Sequence, residues 1–361
     1  MIANKNLKKI FFLVFFLVFS GYSCSKNESI ADNNIDPQLI FSSRRWWNYD
    51  IFISNIYGGK TTQLTKNKWI DFKPTLSHNF KKIAFISDRS GNRDIYTAEL
   101  IWLDGFIQWR ADSLKNITNS NENNWTPVFS PIENKIAYAT YFPENDNYDI
   151  FIMNDDGTNI HNITNTSSYE KLPQFSPDGS FIIYQGWQSG KMDIFFGSLI
   201  DKNNINLTNS LKSNDILTER NSFSPDGQSI VFTSDRDGNK NIYTMKINGD
   251  DLKRLTDNNY DDYEPIFSPT GESIVFTSER DGNQEVYLFD IESKNLTNLT
   301  KNNGDDWNPR FYPDGRKIIF QSTRDGNWEI YMMNLNGGSQ INLTNHPSTD
   351  YSFTVLPLTN P

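Results

Sequence analysis

From residue 39 onward, short apolar runs of four to six residues alternate with clusters of Pro, Asp, Gly and Asn. Each run is long enough for a β-strand and too short for a helix of useful length. The clusters match turn chemistry, because Pro fixes φ at the second position of a type I turn and Asp-Gly-Asn tolerates the positive φ of tight hairpins. The pattern therefore predicts an all-β domain of short antiparallel strands.

The same order of runs and turns returns about every 44 residues. The clearest copies combine Phe-Ser-Pro-Asp-Gly, Ile-Val-Phe, Arg-Asp-Gly-Asn, Ile-Tyr and Leu-Thr, with small variations, and they span 223–256, 267–300 and 311–344. Looser copies begin at Leu76, Phe129 and Phe175. Each copy holds four strands, which predicts one four-stranded blade per copy.

The two ends of the chain supply a seventh unit. Residues 39–65 match the last three strands of a copy, and residues 350–355 match a first strand. Pairing these ends would close a ring and leave no blade incomplete. We therefore predict a seven-bladed β-propeller of four-stranded antiparallel blades over 39–361, closed by N- and C-terminal strands that share one blade.

Residues 1–24 predict an export signal outside the fold. Three lysines precede an apolar stretch at 10–19, which is too short to span a bilayer as a helix, and small residues follow before Cys24, the single cysteine. This segment resembles the signal peptide of bacterial lipoproteins. The resemblance implies acylation of Cys24 and an outer-membrane anchor, facing the periplasm or the cell surface; an ordinary cleaved signal with an incidental cysteine is the alternative. The polar residues 25–38 predict a flexible tether.

Composition narrows the function classes. The formal charge of −10 disfavours nucleic acid as a partner, and a single cysteine allows no intramolecular disulfide. The sequence contains no nucleophile elbow, no His-Glu-x-x-His helix and no phosphate-binding glycine loop. Its three histidines, His78, His161 and His346, are scattered. We predict no cofactor, no metal site and no catalytic residues, and we expect a monomer.

The loops that lead into the first strand of each blade carry aromatic and acidic residues. Because first strands are innermost in a propeller, these loops should surround one mouth of the central channel, on the same face as the Arg-Asp-Gly-Asn hairpins. The predicted binding residues there are Phe72, Trp125, Tyr169, Asp262, Tyr263, Asp306, Trp307 and Tyr351. Aromatic faces would supply contact area and carboxylates would supply orientation for an envelope protein or peptide, with a glycan as the alternative ligand.

Two other interpretations of this mouth stay open. The aromatic side chains could pack between blades while the acids solvate loop tips. A cation could instead be held by Asp261, Asp262, Asp305 and Asp306.

Features that recur in most blades predict scaffold. One is an arginine in the hairpin, expected to bond carbonyls of the neighbouring blade, at Arg44, Arg89, Arg236, Arg280 and Arg324. Another is Asn-x-Thr in the blade-ending strand. Residues 100–110 are an insertion that predicts a longer outer β-arm, whose Trp102 and Trp109 either form a sticky patch or fold back on their own blade.

The repeated string over 223–256, 267–300 and 311–344 resembles the repeat of TolB-type propellers, and the resemblance extends over nearly the whole chain after the signal. It implies the fold and leaves the function open, because related repeats occur in tricorn-like and prolyl-peptidase propellers and in oligogalacturonate lyases. TolB itself joins a six-bladed ring to a small α/β domain and is a periplasmic partner of a lipoprotein; this chain differs from it in its predicted seven blades and in showing no such preceding domain.

Oligogalacturonate lyases hold a metal with several histidines, and no histidine cluster exists here to carry that role over. The resemblance and the residues together predict a non-catalytic, membrane-tethered binding scaffold of the bacterial cell envelope. A polysaccharide hydrolase or lyase using carboxylates at the channel mouth is the alternative.

Overall fold

The computed structural model describes residues 38–45, 47–57, 61–103, 106–199, 203–208 and 221–356. These residues belong to one compact unit, 34–361. They form 29 strands and a single 3-10 turn at Ala111–Ser113, and none of the described residues lies in an α-helix. Accordingly, this part of the chain contains no helix that is long and apolar enough to cross a membrane. The predicted signal peptide with Cys24, and the tether up to residue 37, lie outside the described residues.

The strands occupy four positions from the channel outward. The innermost are β4 (Asp71–Leu76), β9 (Asn123–Phe129), β13 (Glu170–Phe175), β17 (Ser222–Phe223), β21 (Asp262–Phe267), β25 (Asp306–Phe311) and β29 (Asp350–Leu356). The second strands are β1 (Gln38–Ser43), β5 (Lys82–Ser87), β10 (Lys135–Phe142), β14 (Phe181–Gln188), β18 (Ser229–Ser234), β22 (Ser273–Ser278) and β26 (Lys317–Ser322).

The third strands are β2 (Asp50–Asn55), β6 (Asp94–Leu103), β11 (Asn147–Asn154), β15 (Lys191–Ser198), β19 (Asn241–Lys246), β23 (Glu285–Asp290) and β27 (Glu329–Asn334). The outermost strands are β3 (Thr62–Gln63), β8 (Lys115–Asn116), β12 (His161–Asn162), β16 (Asn204–Asn206), β20 (Lys253–Arg254), β24 (Leu296–Asn298) and β28 (Ile341–Asn342). Blade 2 adds β7 (Phe106–Trp109) to its outer side.

The ring closes as predicted. Blade 1 combines β29 with β1, β2 and β3, and blades 2 to 7 follow in chain order. β1 pairs antiparallel with both β2 and β29. Buried side chains of blade 1, including Phe41 and Phe353, form one core cluster with Ile319 and Met332 of blade 7. The prediction of seven four-stranded antiparallel blades joined by the two chain ends is therefore confirmed.

Burial on both faces explains the continuous apolar runs. The second strands are buried along almost their whole length, as in β1 and β22, because each blade packs between two neighbours. Seven core clusters fill the seven junctions between adjacent blades. Stability is thus distributed around the ring rather than concentrated in a single core.

The innermost strands carry a feature that the sequence analysis missed. In six blades a β-bulge interrupts their pairing with the second strand. At each bulge one non-glycine residue has a φ between 40° and 56°, namely Lys73, Thr126, Leu172, Glu264, Asn308 and Ser352. Five of these residues precede a proline, which cannot donate to the ladder and suits a bulge. The bulge directly follows the mouth position and re-aims the side chains there.

The insertion in blade 2 forms the predicted outer arm, and this arm folds back. β6 continues to Leu103 and pairs with β7. Ile107 is 3% exposed and joins Ile40 and Ile53 of blade 1 in the core cluster between blades 1 and 2. The Trp109 ring lies 5.6 Å from that of Phe85. The arm therefore covers the junction between blades 1 and 2.

Candidate functional site

A central channel runs between the innermost strands. Its cavity measures about 600 Å³ and is lined by side chains from all seven blades, among them Thr75, Val128, Gln174, Phe223, Phe267, Phe311 and Thr354. A cavity of this size lies within the range of small-ligand and peptide sites.

The hairpins and the loops into the innermost strands share one face, as predicted. The backbone N–H of Asp262, at the start of blade 6, donates to the carbonyl of Lys240 in the blade 5 hairpin at 2.9 Å. The Asn239 side chain of the same hairpin donates to the carbonyl of Tyr260. The equivalent backbone bond is made by Asp71, Asn124, Asp306 and Asp350, so five of the described loops are fixed by the hairpin of the preceding blade. We call these loops the rim.

The acids at the head of the innermost strands are locked inside this rim. Asp71, Asp262 and Asp306 are fully buried. Arg280 donates from Nη2 to both carboxylate oxygens of Asp262 at 2.9 Å, and Arg324 holds Asp306 in the same way at 3.0 Å. An asparagine four residues earlier also donates to each of them, as Asn258 does to Asp262 at 2.6 Å. Asp262 and Asp306, which were predicted to contact a ligand, thus anchor the rim from below.

The repeated arginines were predicted to bond carbonyls of the neighbouring blade, whereas the guanidinium groups of Arg89, Arg280 and Arg324 bond to a carboxylate of their own blade. Each donates through Nε to a serine two residues earlier, as Arg280 does to Ser278 at 2.7 Å, and its guanidinium lies over two rings. In blade 1 this position belongs to Arg45, which donates to Ser43 at 3.0 Å, and not to Arg44 as predicted. The spacing Ser-x-Arg, rather than the alignment of apolar runs, identifies the correct residue.

Six aromatic residues from six blades surround the mouth above these acids. We call Phe72, Trp125, Tyr169, Tyr263, Trp307 and Tyr351 the aromatic collar. Four directly follow the aspartate that begins an innermost strand, Trp125 follows Asn124 near the start of β9, and Tyr169 directly precedes Glu170. Five are partly exposed, and Tyr263 is 8% exposed.

Five of the six collar rings each pack against another ring, and Phe72 and Trp125 pack against each other. The ring contacts, between centroids, are Phe72 with Trp125 at 6.1 Å, Tyr169 with Tyr148 at 4.5 Å, Trp307 with Trp328 at 5.7 Å and Tyr351 with Tyr49 at 6.1 Å. The hydroxyl of Tyr263 donates to Glu279 at 3.0 Å, and burial raises the pKa of this phenol above its usual value, so it remains a neutral donor. Such contacts hold the rings in defined orientations before any ligand binds.

Cations lie between the aromatic rings. The guanidinium of Arg93 is 4.0 Å from the Trp125 centroid, and the amines of Lys240 and Lys171 are 5.5 Å and 5.8 Å from the rings of Tyr263 and Tyr169. The mouth therefore presents aromatic faces beside cations, with the strand-head carboxylates buried below. One of these cations, Lys240, is paired with the partly exposed Asp261 at 3.4 Å. This arrangement differs from the predicted alternation of aromatics and exposed acids.

The cation alternative gains no support from the mouth. Asp261 accepts a hydrogen bond from the backbone N–H of Lys240 at 3.0 Å, and Asp305 accepts one from that of Gln284 at 3.2 Å. Among the described residues, no group of three His, Cys, Asp or Glu side chains is placed to hold a metal ion. These aspartates join each loop to the preceding hairpin.

The Asn-x-Thr triplets belong to the scaffold. In blade 7, the Thr344 hydroxyl accepts from the backbone N–H of Ile330 at 3.1 Å and donates to Glu329 at 2.7 Å. The equivalent threonines of the other six blades accept the same backbone bond, at Thr65, Thr118, Thr164, Thr208, Thr256 and Thr300. The triplet fixes the short outermost strand against the third strand.

Comparison with known proteins agrees with this architecture. The profile of the TolB beta propeller domain matches residues 111–265 and 258–357. A protein TolB homolog from Protochlamydia amoebophila is 30% identical over 141 residues, covering 37% of this chain and 29% of the homolog. The chain spans at most a third of the length of this homolog and of the TolB homolog from Chlorobium luteolum.

Solved structures show the same fold at low identity. TolB from Acinetobacter baumannii superposes with a TM-score of 0.54 at 17% identity, covering 89% of this chain and 67% of that one. Oligogalacturonate lyase from Vibrio parahaemolyticus gives a TM-score of 0.66 at 13% identity, covering 82% of this chain and 86% of the lyase. The profile match extends over more than half of the sequence, and the chain is therefore a member of the TolB beta propeller family.

Proposed function

We propose that this protein is a non-catalytic binding scaffold of the bacterial cell envelope, tethered to the outer membrane through an acylated Cys24. The ligand is an envelope protein or peptide held at the channel mouth. The observation that carries the proposal is the aromatic collar: six aromatic residues at the heads of the innermost strands of six blades, each held against a second ring or a cation. Membership in the TolB propeller family supports an envelope role.

The chemistry of the rim favours a protein or peptide ligand. Tryptophan, tyrosine and arginine are the residues that dominate protein interfaces, because they bury large areas with few rotatable bonds. The collar and Arg93 supply this combination. Because the rim is fixed by backbone bonds between hairpin and loop, little ordering cost remains for binding.

The buried acids weaken the case for glycosidic chemistry at the mouth. Such a mechanism needs two carboxyl groups about 5 to 10 Å apart that both reach the substrate. Asp71, Asp262 and Asp306 are instead fully buried and bonded to arginines. We therefore assign them to support of the rim.

A capture experiment with matched variants tests the proposal. The purified full chain is immobilised and exposed to a detergent extract of the cell envelope, and recovered proteins are quantified. We expect one stoichiometric partner, lost from Trp307→Ala and from Trp125→Ala. The control is Ile132→Ala, in the turn between β9 and β10 on the opposite face, where the side chain is 54% exposed.

The outcomes are distinguishable. Loss of the partner from both tryptophan variants but not from the control, at unchanged melting temperature, supports the mouth as the binding site. A partner retained by both tryptophan variants contradicts it. Release of reducing ends or unsaturated sugars from a polysaccharide by the unmodified chain would contradict the non-catalytic role.

A further inference from the structure

The junction between blades 5 and 6 holds a cleft on the face opposite the mouth. This cleft measures about 720 Å³. Its floor is apolar and includes Met245, Phe267 and Phe289, which are at most 9% exposed. The residues of blade 6 beside it depart from the repeat in two ways.

A glycine in the turn after the third strand closes the junctions that blades 7 and 3 make with the preceding blade. A Cβ at Gly337 of blade 7 would lie 2.6 Å from the carbonyl oxygen of Leu299 in blade 6, and one at Gly157 of blade 3 would lie 2.7 Å from that of Ile117. Only glycine allows this approach, and its φ is also positive at both positions, 80° and 86°. The turn therefore presses against the outermost strand of the preceding blade.

Blade 6 lacks this glycine. Register with blade 7 puts Ser293 at the position of Gly337. The Ser293 hydroxyl and backbone N–H both donate to Asp290, at 2.6 and 2.8 Å, and the left-handed residue of the turn is Lys294 with a φ of 57°. The hydrogen bonds of Ser293 therefore lie within its own turn, and this turn does not pack against the outermost strand of blade 5 as Gly337 packs against blade 6.

A second departure of blade 6 from the repeat leaves a backbone carbonyl of blade 5 without a hydrogen-bond donor among the described residues. In blade 7 the side chain of Gln340 donates to the carbonyl of Leu299 at 2.9 Å, and in blade 4 Asn204 donates to that of Ile163 at 3.0 Å. The matching residue of blade 6 is Leu296, which has no donor. Within the described residues nothing donates to the carbonyl of Leu255, which lines the cleft.

The edge of the cleft is cationic in a chain of net charge −10. Lys246, Lys253 and Lys294 line it and are exposed, and Arg254 lies beside them. The carboxylates in the lining are Asp226 and Asp251. Lys253 is paired with Asp251 at 2.8 Å, and Arg254 is paired with Asp257 at 2.9 Å. Within the described residues, Lys246 and Lys294 are the cations of the lining that have no carboxylate partner, and they stand at the edge of the apolar floor.

We propose that this cleft is a second binding site, for an extended acidic peptide segment. An apolar side chain of the peptide packs on Met245 and Phe289, a peptide N–H donates to the carbonyl of Leu255, and flanking carboxylates meet Lys246 and Lys294. All three features are required together, which distinguishes a peptide from a simple anion. The site is separate from the mouth and does not depend on the function proposed for it.

The test uses the purified full chain and the probe acetyl-Leu-Glu-Glu-amide, with binding followed by amide chemical shifts. We expect saturable shifts at Leu255 and Leu296 and a dissociation constant in the range of about 0.1 to 1 mM. Replacing the two glutamates by glutamines, or methylating the leucine nitrogen, should weaken binding by about fivefold or more each. A probe that does not saturate, or shifts confined to other residues, would overturn the proposal.

Two variants locate the site. The double change Lys246→Glu and Lys294→Glu should weaken binding at least about tenfold, whereas Lys81→Glu, on an exposed turn of blade 2, should not change it. The double change Ser293→Gly and Leu296→Gln gives blade 6 the two residues that close the junction in blade 7, and it should abolish binding at unchanged or higher melting temperature. Full binding by either double variant refutes the assignment.

Discussion

Glu170 occupies the same position as Asp262 and Asp306 but has a different partner. In blade 6, the serine that pairs with Asp262 is followed two residues later by the arginine that bonds to that aspartate, and blade 7 has the same arrangement. In blade 4, the residue at the arginine position is Gln188. Glu170 bonds instead to Thr166 and lies near Asp149 of blade 3. Burial, with the neighbouring Asp149 as a smaller cause, raises the pKa of Glu170 to about 7.

This shift predicts a pH dependence of stability that one substitution removes. Because the folded state binds the Glu170 proton more tightly than the unfolded chain, whose pKa is 4.5, its contribution is fully present below the unfolded value and is lost as pH rises through 7. Between about pH 5 and about pH 8, Glu170→Gln should gain about 2 kcal/mol of unfolding free energy relative to the unmodified protein.

Urea unfolding of both proteins at the two pH values measures this difference. Other raised carboxylates, such as Asp350, titrate in both proteins and cancel in the comparison. A constant gap between the two curves would contradict the assignment of the shift to Glu170.

For single residues, the sequence indicated where a side chain lies along its strand, but it did not indicate which other side chains it contacts. The collar residues were selected because each lies beside an acid or amide at or near the start of an innermost strand. Their chemical surroundings were not found, because Arg280 and Asp262 are 18 residues apart and meet only through the register of β21 with β22. Acids that looked available for a ligand were therefore already paired.

At the scale of elements, the strands followed from their apolar runs, and the bulges did not. A proline inside a run, as in Asp306-Trp307-Asn308-Pro309, argues against regular pairing, and its repetition in five blades is the signal that could have revealed the bulge. The arm of blade 2 was predicted as an insertion, but its direction was left open. The direction of the arm depends on which apolar residues of blade 1 it can cover. The local sequence of the arm does not contain this information.

The arm should contribute to stability through one face. Ile107→Ala removes a side chain that is 3% exposed between blades 1 and 2, and it should cost about 2 to 4 kcal/mol of unfolding free energy. The neighbouring change Gln108→Ala, on the exposed face of the same strand, should cost less than about 0.5 kcal/mol. Chemical denaturation measures the unfolding free energy of both variants. Equal losses in the two variants would mean that the arm does not cover the junction.

For the molecule as a whole, the repeat was sufficient to predict the number of blades and the closure of the ring by the two chain ends. The two partial units at the ends add up to one blade, which indicates that the chain ends pair with each other. Differences in packing between the blade junctions were harder to predict from the sequence. They arise where single residues depart from the repeat, as Ser293 and Leu296 do. Symmetry therefore predicts the scaffold, and departures from symmetry mark where binding surfaces can form.

Closure by the chain ends predicts the largest effect on stability. A chain ending at Thr349 lacks β29, which removes the buried Phe353 and Leu356 and exposes one edge of β1. The loss should exceed about 5 kcal/mol, and the melting temperature should fall by more than about 10 °C. The intact chain with Phe353→Ala should lose only part of this, about 3 to 5 kcal/mol. Because the groove beside β1 is then vacant, a synthetic peptide of residues 350–356 added in excess should restore part of the melting temperature. A truncated chain that melts like the intact one would show that the ring is held without β29.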